Sequence, residues 1–241
     1  MISAGTSASA AAAQTRIVTP DASTQRLRVE AVTKKWRGRD VATLSAVDLV
    51  LHDGRIAALA GDNGAGKTTL LRILAGLIAA DSGRVSVDGV SPDTDASEYQ
   101  RRVSFVPAGQ TGLYARLTVD FHLDFCARLM YVPRESRRRV IQAAAERFDL
   151  HELRAQRVDR LSMGQRQRVR LALGFLPAPR LILLDEPANS LDTRGNELLA
   201  HAIEAHAAAG GSLIWCAPTV DNIPLELDEL YSLRAGRLID R

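Results

Sequence analysis

The stretch that most restricts what this chain can fold into is residues 61–69, GDNGAGKTT, set between an apolar run (Ile56 to Ala60) and an amphipathic one (Leu70 to Ile78). That order predicts a strand, a glycine loop and a helix. It satisfies the phosphate-binding pattern G-x-x-x-x-G-K-[ST], with Gly61, Gly66, Lys67 and Thr68 in the specified places. Without a Cβ at Gly64 and Gly66 the backbone can curl around a polyphosphate with its N–H groups inward, and the helix behind adds the positive end of its dipole. Asn63, Ala65 and Thr69 belong to the same cradle. Lys67 can then reach the β- and γ-phosphates, and the Thr68 hydroxyl can ligate Mg²⁺. A plain glycine turn is the competing reading, and the full pattern in its strand and helix context outweighs it.

At 241 residues the chain has room for one large domain or a core with a subdomain. Its 46% hydrophobic and 24% charged residues are ordinary for a globular protein, and a formal net charge of +3 is too small a bias to argue for nucleic acid. Cys126 and Cys216 lie far apart with no C-x-x-C, which suggests neither zinc nor a disulfide framework and makes buried thiols the default. No apolar run approaches the roughly 18 residues that cross a bilayer, so a membrane would be met through a partner. Residues 1–25 are rich in Ala, Ser and Thr but lack a basic start and a Leu-rich centre, and read as a disordered leader rather than a secretion signal.

Strand-like alternation begins with Leu27, Val29 and Ala31 set against Arg28 and Glu30, and resumes from Val47 to Leu51. His52, Asp53 and Gly54 give a hairpin-like turn signal leading into Ile56. Gly83 to Val87 marks another strand, and Val103 to Val106 a short one ending at Pro107. Beyond it, Val119 to Met130 and Glu135 to Phe148 carry apolar residues at helical spacing, and a third helix runs from about Gln165 to Leu176. These predict a helical subdomain at about 108–178 within a domain of 26–241. Leu181 to Leu184 is continuously apolar, as suits a central strand covered on both faces. A helix from about Arg194 to Ala208, a strand from Ser212 to Ala217 and two short terminal strands (Leu230 to Leu233, Arg237 to Ile239) follow. The fold class is α/β, a P-loop NTPase core with a mostly parallel sheet, an N-terminal antiparallel β portion and the helical subdomain.

The Leu181 to Leu184 strand runs straight into Asp185, Glu186 and Pro187. Beside a phosphate loop an acidic pair at a buried strand end has a specific use. Asp185 can hold the Mg²⁺ shell, directly or through water, and Glu186 can orient or deprotonate an attacking water. Glu186 and Lys67 are therefore the catalytic candidates, and Thr68 and Asp185 the metal candidates.

With these motifs in order the chain resembles the ATP-binding cassette (ABC) family from about Leu27 onward. GDNGAGKTT is similar to the family's phosphate loop, LSMGQ (161–165) to its signature sequence, LILLDEP (181–187) to its magnesium strand, and Ser190 to Asp192 to its dimer-contact loop. Trp36 falls where the family puts an aromatic residue that stacks on adenine, and Leu113 to Val119 looks like cassettes paired with bacterial exporters. The resemblance implies an ATPase subunit that uses ATP and Mg²⁺ in a head-to-tail dimer with a like or unlike cassette. ATP on one phosphate loop would be covered by Ser162, Gly164 and Gln165 of the other subunit. Ser162 and Gly164 stand just before a helix expected near Gln165, a second anion-binding helix start that its own phosphate loop does not need. The resemblance further implies an integral membrane permease partner, export as the direction, and a place at the cytoplasmic face of the membrane. The groove near Ala108 to Arg116 would receive a short permease helix. No nucleic acid is expected: Arg137 to Arg139 and Arg166, Arg168 and Arg170 interleave with apolar positions, carry no aromatic stripe and read as solvated helix faces.

The sequence also departs from the family. Met163 stands where glycine is usual. Ala108 replaces the glutamine expected after Pro107, with Gln110 as its substitute and a further metal candidate if the loop carries a one-residue insertion. Pro218 occupies the place of a histidine that touches the γ-phosphate, and no histidine follows His206. Proline offers neither a side-chain donor nor an N–H. A charge-assisted contact of this kind contributes about 1.5–3 kcal/mol, so hydrolysis should be slow rather than abolished. Two rivals stay open: a degenerate cassette that clamps ATP beside a different catalytic one, and a soluble cassette serving a biosynthetic assembly. Coiled coils of the DNA-repair kind do not fit between Gly66 and Leu161, and no N-K-x-D guanine motif occurs.

Overall fold

The computed structural model describes residues 25–38, 40–109, 111–176, 178–221 and 223–239. The expected leader, apart from Gln25, and Gln110 lie outside the described residues. The first half of the chain forms β1 (Gln25–Lys34), β2 (Leu44–His52), β3 (Ile56–Ala60), α1 (Lys67–Leu74), β4 (Ser82–Val87), α2 (Ala96–Arg102) and β5 (Val103–Val106). The second half forms α3 (Val119–Leu129), α4 (Arg134–Arg147), α5 (Met163–Phe175), β6 (Leu181–Asp185), α6 (Thr193–Ala208), β7 (Ser212–Cys216), β8 (Glu229–Arg234) and β9 (Arg237–Ile239).

The strands sort into an antiparallel sheet, β2-β1-β4, and a second sheet in the order β5-β6-β7-β3-β8-β9, parallel except for its last pair. In β1 the alternation works as read for Leu27 and Val29, buried against exposed Arg28 and Glu30, but fails at Ala31, which is exposed. A register shift between Val29 and Val32 gives Ala31 a left-handed φ of 48° and passes the inward place to Val32. The turn at His52 to Gly54 is not a hairpin, because β2 pairs with β1 while β3 pairs with β7 and β8. The turn carries the chain between sheets. The physical reason is visible in β3, whose unbroken apolar run suits a position with a strand on either side, not a half-solvated ribbon.

β6 shows how one strand serves two cores. Leu181 and Leu183 enter a cluster with α1 and the antiparallel sheet, whereas Ile182 and Leu184 enter one with α3, α4, α5 and α6. All four side chains are fully buried, each contributing about 1.5–3 kcal/mol of transfer free energy. α2 was not legible in the periodicity. It is a seven-residue helix fixed instead by the Asp95 side chain, which accepts from the Glu98 N–H, and by buried Tyr99, whose hydroxyl donates to the Leu74 carbonyl at 2.6 Å. Because β5, β6, β7 and β3 run parallel, their carboxyl ends fall on one edge, where α/β sheets place their ligands.

Candidate active site

The loop after β3 enters α1 through Gly66, which has a left-handed φ of 109° and supplies no side-chain cap. A Cβ there would lie 2.8 Å from the Thr43 carbonyl oxygen, so glycine is required. The first-turn N–H groups are thereby left to other acceptors. Lys67 is buried, and its Nζ donates to the carbonyls of Gly61 at 2.5 Å and Asp62 at 3.0 Å. The next residue crosses to the end of β6: the Thr68 hydroxyl donates to Asp185 Oδ2 at 2.9 Å.

Asp185 is buried, and a carboxylate beside a hydroxyl is the donor set expected for Mg²⁺, which takes one or two protein oxygens and fills its shell with water and phosphate. Among the described residues no group of three or more His, Cys, Asp or Glu could hold a metal. Behind it, burial and then the Asp185 carboxylate push the Cys216 thiol well above its ordinary range, which keeps it neutral.

Glu186 leaves the strand with a left-handed φ of 49°, while its N–H donates to the Cys216 carbonyl at 2.9 Å. For a residue with a Cβ that conformation costs about 1–2 kcal/mol, and such strain gathers at functional sites. The carboxylate is steadied by Asn189, whose Nδ2 donates to Glu186 Oε2 at 2.6 Å.

A cleft of about 250 Å³ brings Trp36, Asn63, Gly64, Gly66, Lys67, Thr68, Thr69, Asp185 and Glu186 together with Thr43. Trp36 is 39% exposed, with Lys34 Nζ at 5.4 Å from its ring centroid. Gly61 and Ala65 act through the backbone and do not line the cleft. The Gly61 N–H donates to the Pro218 carbonyl at 3.4 Å, and Ala65 N–H to that of Asp62 at 3.1 Å. Pro218 thus meets the base of the phosphate loop through its carbonyl, an acceptor.

Ser162, Gly164 and Gln165 are not in this cleft. The helix they begin starts at Met163, two residues earlier than expected, because Ser162 is its cap. Its hydroxyl accepts from Gln165 N–H at 3.2 Å, and Gln165 Oε1 accepts from Ser162 N–H at 2.9 Å, a complete capping box. Gly164 lies in the first turn, where a Cβ would sit 2.9 Å from the Ser190 carbonyl oxygen. Met163 projects outward, 57% exposed.

The arginines of α5 are not a solvated face. Arg166 donates to the carbonyls of Val158 and Asp159, Arg168 to those of Phe148 and Asp149, and buried Arg170 to those of Pro107 and Gly109. Turn carbonyls packed against a helix need donors, and long side chains supply them. Thr43 and Asn189 were missed from the sequence. Thr43 sits in a loop without periodic signal, whereas Asn189, three residues after Glu186, was a readable local partner.

A phosphate loop meeting an acidic strand end on a parallel sheet makes this a nucleoside triphosphatase of the phosphate-loop class. The model of the ABC transporter family matches residues 44–189, and the chain belongs to that family of ATP-binding, ATP-hydrolysing cassettes. The ABC transporter ATP-binding protein NatA of Bacillus subtilis is 28% identical over 201 residues, 83% of this chain and 82% of NatA. The molybdenum import ATP-binding protein ModC of Pseudomonas syringae pv. tomato is 36% identical over 200 residues, 80% of this chain but 54% of ModC. The chain therefore spans about half of ModC's length. A solved ATP binding subunit of an ABC transporter superposes with a TM-score of 0.82 at 25% identity, over 88% of each chain. Among the described residues no helix is long and apolar enough to cross a membrane.

Proposed function

We propose that the chain is the ATP-hydrolysing subunit of a membrane transporter and works as one of two cassettes closed around ATP at the cytoplasmic face of the membrane. The carrying observation is that one cleft gathers Lys67, Thr68, Asp185 and Glu186 while the second helix start, at Ser162, stands outside it. The loop N–H groups and Lys67 bind the β- and γ-phosphates, the ammonium exchanging neutral carbonyls for stronger charge-assisted bonds. Trp36 stacks on adenine. Thr68 and Asp185 hold Mg²⁺, which when bound neutralises phosphate charge. Glu186, steadied by Asn189, orients the attacking water and takes its proton. Ser162, Gly164 and Gln165 of a second cassette complete the phosphate contacts.

Pro218 makes hydrolysis slow, because its carbonyl cannot donate to the γ-phosphate. Pro218 and Ala108 together favour a second reading, a cassette that clamps ATP beside a more active partner. A groove of about 340 Å³ lined by Phe105, Thr111, Gly112, Met130 and Leu173 takes a short helix of the permease. The direction is export, on the strength of the Leu113 to Val119 segment, although ModC bears the name of an importer.

The test is Mg²⁺-dependent ATP hydrolysis by the purified chain, alone and after co-expression with the multi-spanning protein of a neighbouring reading frame. Slow turnover that Glu186→Gln removes and the partner accelerates supports the motor. Binding without turnover in both settings selects the clamp. Failure to bind ATP contradicts both.

A further inference from the structure

One buried thread of side chains joins the wall of the groove to the catalytic glutamate. Arg170 on α5 is 5% exposed, and its two terminal nitrogens donate to the carbonyls of Gly109 and Pro107 in the turn after β5. The same guanidinium donates to Gln167 Oε1 at 2.7 Å, and Gln167, also buried, donates from Nε2 to the Pro187 carbonyl at 2.8 Å. Pro187 directly follows Glu186. Arg170 and Pro107 line the groove together with Cys126 and Met130. A single turn of α5 therefore spans from the groove to the peptide unit beside the strained Glu186 backbone.

The bonding leaves no member of this thread free of its neighbours. Shifting the 107–109 turn either draws the guanidinium along or leaves a buried charge and two carbonyls without partners, which is unfavourable. Gln167 has committed its carbonyl to Arg170 and its amide to Pro187, so it cannot turn over without breaking both bonds. We propose that Arg170 is a positioning residue that, through Gln167, ties the shape of the groove to the placement of Glu186. The inference rests on the proposed reading of the groove and of Glu186. Linkage requires the effect to run both ways, so nucleotide must alter the groove as an occupant of the groove alters the site.

The test reads the nucleotide-to-groove direction and needs no permease. Cys126 lines the groove and is partly exposed, whereas Cys216 is buried, so alkylation of Cys126 by N-ethylmaleimide, followed by mass spectrometry, reports on the groove. In Glu186→Gln protein, Mg²⁺ and ATP should change that rate. Adding Arg170→Met, which fills similar space without donors, should erase the change while the affinity for a fluorescent ATP analogue stays the same. In protein retaining Glu186, Arg170→Met should lower kcat about 2- to 30-fold at unchanged KM, and Arg170→Lys should recover part of it. The proposal is overturned if nucleotide leaves Cys126 alkylation unchanged in the Glu186→Gln chain, or if Arg170→Met keeps both the nucleotide response and full kcat. Should Arg170→Met not fold, Gln167→Glu keeps a partner for Arg170 and turns the donor to Pro187 into a second acceptor facing that carbonyl, and it carries the same two outcomes. An unaltered chain that binds no ATP is a different failure, that of the proposed function.

Discussion

The molecule has two helix starts suited to phosphate, and it treats them oppositely. α1 begins at Gly66 with no side-chain cap, beside a buried lysine and a buried aspartate. α5 begins at Ser162 with both halves of a capping box formed by its own side chains. The first is a site built within one chain. The second is self-satisfied, with only the N–H groups of Met163 and Gly164 outside the box, and under the proposed function it serves phosphate only when another copy brings it there. A lone cassette should therefore bind ATP and hold two competent halves that cannot meet.

The largest expected effect sharpens the first side of that comparison. Glu186→Gln should lower hydrolysis by about 100- to 10,000-fold, the range for a general base, without weakening ATP binding in a filter or fluorescence assay. A parallel loss of affinity would place Glu186 in binding instead. Next comes Pro218→His, which keeps the carbonyl that accepts from Gly61 and adds a donor. It should raise kcat by about 10- to 100-fold, and an unchanged kcat would mean that the proline is not what limits turnover.

Two smaller changes separate the helix starts. Trp36→Ala should weaken ATP binding about fivefold, the low end of base–aromatic stacking for a ring this exposed, and leave thermal stability alone. Ser162→Ala should do the reverse in the single chain: about 1 kcal/mol of stability lost with the cap, by urea denaturation, and no change in monomer affinity for ATP. Weaker monomer binding in Ser162→Ala would break the comparison outright.

The smallest effect is acid sensitivity at the end of α6. Burial above all holds the His206 pKa below its ordinary 6.5. The unfolded chain then takes up this proton first, so the contribution is complete above about pH 6.5 and is lost as pH falls toward the folded value. Urea midpoints at pH 7.5 and pH 5.5 should differ less in His206→Gln than in the unaltered chain.

What could be read in advance follows the same division. The phosphate loop and the acidic strand end were legible because each chemistry is written in contiguous residues, and the structure brings Lys67, Thr68, Asp185 and Glu186 into one cleft. β6 was legible because a strand covered on both faces has no reason to alternate. The turn at His52 to Gly54 misled, since a turn signal says that the chain reverses and not which strand it will pair with. Arg170 misled for a related reason. Its charge suggests solvent, while two of its three partners are carbonyls some sixty residues away in sequence that only packing brings near. Thr43 has no local pattern at all, and only the folded chain places it in the cleft.

The most direct measurement is sedimentation velocity of the Glu186→Gln chain with ATP and Mg²⁺, alongside the same chain carrying Ser162→Glu. Two phosphate-facing helix starts held on different copies require the first protein to shift from monomer to dimer on adding ATP, alone or with its partner cassette. They require the second to bind ATP equally well and stay monomeric, because a carboxylate at position 162 repels the nucleotide opposite. A Ser162→Glu chain that dimerises as readily as its parent would contradict the account.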